Sequence, residues 1–146
     1  MIVNVVDFEK LTAIYKPYID GVNEINNERE KFVQKLEPIR KEMQDLIKSF
    51  SSNIEIPGED KQKKEIRYGQ LQEEAYSLDE QFKEKAREMK DELNGRTFNE
   101  LSAIIDEFIE NKEIDMVIGK MEVVFVKPEF EITDGIIELL KSKQLA

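Results

Sequence analysis

The chain has no cysteine and no histidine. The first absence removes disulfides, thiolate zinc sites and thiol nucleophiles together. The second removes the commonest general base and the commonest metal ligand. The 6 glycines and 4 prolines are scattered and form no glycine-rich phosphate loop. No apolar run approaches the roughly 20 residues needed to span a bilayer, so no transmembrane segment is expected. Positive charge is in deficit: 22 Lys and Arg stand against 32 Asp and Glu, a formal net charge of −10. Binding to a phosphate backbone rests on cations, so no nucleic-acid partner is expected. Adjacent acids such as Glu73-Glu74 and Asp79-Glu80 point about 100° apart on a helix and share no site. A carboxylate metal bundle would need Glu-x-x-His. Neither an enzyme nor a cofactor is expected.

What the chain does have is charge and heptads. It has 146 residues, about one domain's length, with 37% charged and 40% apolar residues. That mix suits long solvated helices with a small core. Val22, Ile25, Arg29, Phe32, Leu36, Ile39, Met43, Leu46 and Phe50 follow by steps of three and four, with Arg29 the one polar member. Leu71, Ala75, Leu78, Phe82, Ala86, Met89, Leu93, Thr97, Leu101, Ile104 and Phe108 repeat the pattern. Such spacing draws one apolar stripe along a helix, as in a coiled-coil seam. Pro57-Gly58 interrupts the two runs, because proline lacks an N–H and glycine is costly in a helix. The region 8–112 therefore reads as two long antiparallel helices, an arm with its tip near 51–60. Pro38 and Pro17 are expected to bend the first helix. Gly21, Gly69 and Gly95 are read as simple tolerance, with added flexibility of the arm as the alternative. The basic cluster Lys61, Lys63, Lys64 and Arg67 is read as a solvated face.

Strands are expected at both ends. Residues 2–6 form a β-branched run, and Asp7 is placed to cap the helix from Phe8. Residues 114–118 and 121–126 read as a tight hairpin about Gly119-Lys120. Thr133 is placed to cap a last short helix carrying Ile136, Ile137, Leu139 and Leu140. Residues 1–7 and 113–146 thus form a small β body, and the class is α+β. Residues 1–6 are too short for a signal peptide, so the chain either stays in the cytoplasm or is numbered from a removed signal.

Such a body is meagre, and its strands are apolar on both sides. Sticky edges need cover, which points to copies pooling their strands. Ile2, Val3, Val5, Val117, Ile118, Val123, Val124 and Phe125 are the candidates for that oligomer interface. Arms around a shared space could hold unfolded chains weakly, with Phe50, Ile54 and Ile56 as the client-contact candidates. Tyr68 and Tyr76 are expected to pack within the arm.

Three stretches resemble the Skp/OmpH family of periplasmic chaperones. They are Ile2-Val3-Asn4-Val5-Val6-Asp7-Phe8, then Ile114-Asp115-Met116-Val117-Ile118 with Val123-Val124-Phe125, and last Glu131-Ile132-Thr133-Asp134. The resemblance covers the whole chain in order. It implies a jellyfish-like homotrimer with a β-barrel body and helical arms around a cavity. It further implies a periplasmic, ATP-independent holdase for unfolded outer-membrane proteins. Well-known members are basic, and this chain is acidic. Prefoldins also carry helical arms, but their strands lie between the helices, whereas here strands flank them. A coiled-coil scaffold docking one folded partner is the alternative function.

Overall fold

Strand β1, Val3–Val6, finds its partner at the far end of the chain. Strand β2, Met116–Gly119, lies parallel to it, with Val3 opposite Met116 and Val6 opposite Gly119. A parallel pair cannot be closed by a tight turn and needs a long crossover. Here the helical region is that crossover, so strands from both chain ends make the body. The computed structural model describes residues 1–52 and 57–146. They fall into two compact units, Met1–Asn23 with Lys90–Ala146, and Glu24–Met89.

In the first unit, Val6, Leu11, Tyr15, Leu101, Ile105, Ile136 and Leu140 form the buried core. Helix α1, Phe8–Ile14, starts as expected: the Asp7 Oδ1 accepts from the Lys10 N–H at 3.1 Å. The expected continuous helix from residue 8 to 50 is instead broken at Tyr15, whose ψ of 110° is extended. Pro17 supplies the reason. In an unbroken helix its ring would press on the carbonyl of Ala13. The break puts Pro17 into the first turn of α2, Lys16–Ser51, where a missing N–H goes unused. The Tyr15 carbonyl accepts from the N–H groups of Tyr18 and Ile19, and the Lys16 N–H donates to the Leu145 carbonyl at 2.8 Å. The Tyr15 hydroxyl donates to Glu100 Oε2 at 2.7 Å. Burial first, and then that carboxylate, push the phenol up to about 12.

Helix α3 spans Gly58–Ile109 and ends under Lys112, whose Nζ donates to the Phe108 carbonyl at 2.8 Å. Gly21 is more than tolerated. A Cβ there would stand 2.9 Å from Leu93 Cδ2 and nearer still to Cδ1, so the glycine allows α2 and α3 to approach. Gly69 and Gly95 face open space, as simple tolerance requires.

Two expectations near the carboxyl end are corrected. The hairpin of residues 114–126 does not form. Gly119 has φ −64° and ψ 139°, an extended conformation without the positive φ of a two-residue hairpin turn. The chain continues into a 3-10 turn, Lys120–Glu122, and residues 123–127 run on without a ladder partner among the described residues. Thr133 does not cap helix α4, Thr133–Ser142, which has Ile132 at its cap position. Its Oγ1 instead accepts from the Asp7 N–H at 2.9 Å and donates to the Glu131 carboxylate at 3.2 Å. The hydroxyl ties the start of α4 to the start of α1.

In the second unit, α2 and α3 pair along the expected stripe. Phe32 and Phe82 stack with centroids 4.9 Å apart. Ile39 and Leu71 are buried. Glu28 pairs with Lys85 at 2.9 Å and Glu42 with Arg67 at 2.8 Å, an antiparallel order. One seam position is corrected: Arg29 is exposed and Glu28 is half-buried in its place. The polar step could fall after three residues or four, and the carboxylate wins because Lys31 and Lys85 both reach it. Helix α2 runs through Pro38 without a break. In the basic cluster, Arg67 and Lys63 are engaged by Glu42 and Glu59.

These contacts give a pH dependence. The hydrogen bonds from Lys85 and then Lys31 hold the Glu28 carboxyl below its ordinary value of 4.5, and Arg67 does the same for Glu42. A depressed folded pKa stabilises above the unfolded value and is lost as pH falls through the folded one. The helix pair is thus expected to keep its full thermal midpoint down to about pH 5 and to lose it progressively below pH 4.5. Circular-dichroism melts of wild type and of Glu28→Gln with Glu42→Gln check this. The variant melts lower at neutral pH, and the two curves converge in acid.

Candidate assembly and client surfaces

The two-stranded sheet is what positions the first surface. Successive strand residues point to opposite faces. Val6 and Val117 pack toward the helices. Val3, Val5 and Ile118 point the other way, into a hollow that Val123, Val126 and Phe130 partly cover. The Ile132 N–H donates to the Val5 carbonyl at 2.9 Å, so residues 131–132 flank β1 on its free side. Among the described residues β2 has no second partner, and its outer edge is open. The Asn4 Nδ2 donates to the Phe130 carbonyl at 3.1 Å. Its buried Oδ1 has no partner among the described residues.

The residues singled out for assembly separate by exposure. Val5 is buried within one chain; Val3, Val117, Ile118 and Val123 are half-buried; Ile2 is exposed. Val124 is fully exposed and Phe125 is 77% exposed. Sequence reasoning missed Met116, Met121 and Phe130, which are exposed as well. It also missed Phe98, 59% exposed and 5.5 Å from Phe8 between ring centroids. The signal for Phe98 was available: an aromatic residue one step off the apolar stripe that Thr97 occupies.

The second surface lies on the helix pair of residues 24–89. Phe50 is exposed near the end of α2. Ile54 and Ile56 lie outside the described residues. Tyr68 is half-buried, but Tyr76 is 68% exposed, which corrects the expectation that it packs within the arm. Val33, Ile47 and Ile66 are exposed as well and were not foreseen. Large apolar groups therefore interrupt an otherwise charged surface. Among the described residues no three His, Cys, Asp or Glu side chains gather as a metal site. No described helix is long and apolar enough to cross a membrane.

Comparison with known proteins decides the family. The model of the family "Outer membrane protein (OmpH-like)" matches residues 3–140. The chain belongs to the OmpH-like family. Its fold is also found in a crystal structure from Caulobacter crescentus CB15, described as a candidate outer membrane chaperone of OmpH-like type. That match has a TM-score of 0.69 and 13% identity, over 97% of this chain and 84% of the other. No curated protein matches the chain. The matched span takes in β1, α1 and β2 whole, and α4 as far as Leu140.

Proposed function

We propose that this OmpH-like protein is an ATP-independent holdase chaperone. It binds unfolded outer-membrane proteins in a cavity between the helical arms of a homotrimer, in the periplasm. The observation that carries this reading is the family match across residues 3–140. Two features of the chain support it. Val124 and Phe125 stand exposed, and the outer edge of β2 has no partner among the described residues, surface that a second copy would cover. Val33, Ile47, Ile66 and Tyr76 offer scattered apolar contacts in a charged setting. Scattered contacts of this kind hold many sequences weakly, and the charge keeps the holder soluble. The function needs binding alone and no reacting group.

The test is suppression of aggregation. An unfolded β-barrel membrane protein is diluted from urea without nucleotide, and light scattering is followed. The wild type is expected to suppress scattering at near-stoichiometric ratios. The combined variant Val33→Ala, Ile47→Ala, Ile66→Ala, Tyr76→Ala is expected to need roughly tenfold more protein for the same protection. Its melting should change little, since each site is exposed and alanine favours helix. No suppression by wild type, with tight binding to one folded partner, would replace the holdase with a scaffold.

A further inference from the structure

A groove of about 490 Å³ lies between β2 and the end of α3, with Phe8 of α1 in its lining. Its volume falls within the roughly 300–1,000 Å³ usual for ligand clefts. Phe8, Phe98, Ile109, Met116, Val117 and Met121 give it an apolar lining. Phe98, Met116 and Met121 are exposed. Four charged residues line it as well: Asp106, Asp115, Lys120 and Glu122. Lys120 is already engaged, since its Nζ donates to both carboxylate oxygens of Glu131 at 3.2 Å. Asp115 accepts from the Ile2 N–H at 2.6 Å, a neutral donor that leaves its charge in place. Asp106 and Glu122 make no ion pair among the described residues. Three carboxylates against one engaged ammonium leave the groove negative.

The lining names the chemistry that it complements. The rings of Phe8 and Phe98 lie 5.5 Å apart between centroids, and the face of such a ring attracts a cation. The same unit makes that contact once within itself, with Lys112 Nζ 3.9 Å from the centroid of the Phe108 ring. Methionine is flexible and polarizable, and adapts to apolar side chains of differing shape. Arginine answers the aromatic and the acidic parts together. Its planar guanidinium stacks on a ring, donates in a fork to carboxylates, and is less strongly hydrated than an ammonium. An anionic segment would meet the same three carboxylates and be repelled.

We infer that this groove docks an extended segment of another protein in which arginine stands beside leucine or an aromatic residue. The guanidinium is held by Asp106 and Glu122 over the Phe98 ring, and the apolar neighbours rest on Met116 and Met121. This rests on the holdase reading above and narrows its client class to chains carrying such cationic, apolar segments. It places one contact for them in the unit that holds both strands, apart from the helix pair of residues 24–89. It also assigns a role to Phe98, which the core does not use.

The test is fluorescence anisotropy with dye-labelled synthetic peptides. One alternates arginine with leucine and phenylalanine; the other carries glutamate in place of arginine. The wild type is expected to bind the arginine peptide at least roughly tenfold more tightly, with affinity falling as salt is raised. Asp106→Lys with Glu122→Lys is expected to invert that preference, which loss of folding cannot do. Phe98→Ala is expected to weaken the arginine peptide roughly tenfold. Equal binding of the two peptides by wild type would overturn the proposal. So would arginine-peptide binding that survives the groove variants and is lost in the combined Val33, Ile47, Ile66 and Tyr76 variant, which would move the contact to the helix pair and leave the holdase standing. Sedimentation of the Asp106→Lys, Glu122→Lys protein as a smaller species would give the groove to a second copy instead. Wild type that binds the arginine peptide through the groove yet suppresses no aggregation would remove the holdase and keep the groove.

Discussion

Truncating Leu101 to alanine lowers the unfolding free energy of the protein by about 2–5 kcal/mol. Leu101 is fully buried and belongs to the cluster that joins α1, α3 and α4. The loss combines the transfer energy of the deleted carbons with the cavity they leave. Leu11 of α1, Ile136 and Leu140 of α4, and Tyr15 at the break before α2 surround the same core, so collapse of one wall cannot fill the space. For a chain of marginal stability this is a large share of the total. Urea titration followed by circular dichroism measures it. A change below about 0.5 kcal/mol would mean that the site is not packed as described.

Val124→Asp has the opposite character: it leaves the single chain folded and takes the assembly apart. Val124 is fully exposed in one chain, so the carboxylate costs the protomer almost nothing. At an interface the same charge is buried without a partner, at about 3–5 kcal/mol per contact. The association constant is then expected to fall by roughly a hundredfold or more. Sedimentation with a parallel thermal melt separates the two effects. A variant that sediments like wild type would remove Val124 from the shared surface.

The helices were legible in the sequence because their signal is local and repeated. Every apolar member of the second run, from Leu71 to Phe108, is buried or half-buried. The cap at Asp7 was legible for the same reason, since one side chain and its own helix decide it. The parallel pairing of β2 was not. A β-rich run around Gly119 suits a hairpin until the distant β1 competes for its hydrogen bonds, and no local pattern reports that competition. Thr133 was misread in the same way: a hydroxyl before a helix suits a cap, yet the Asp7 N–H, 126 residues away, took it. The exposed Val33, Ile47 and Ile66 were overlooked because attention stayed on the stripe. Apolar residues that a helix pair does not need for its seam are themselves a signal of contact. Val124 and Phe125 were chosen as strand members, and they are exposed as a short unpaired segment instead.

The account depends on copies covering the surface that one chain leaves open. Native mass spectrometry of the untagged protein tests that most directly. Three copies of the 17.1 kDa chain in one species is the predicted mass, collapsing toward one copy for Val124→Asp. A well-folded wild-type species at the mass of a single chain would contradict it.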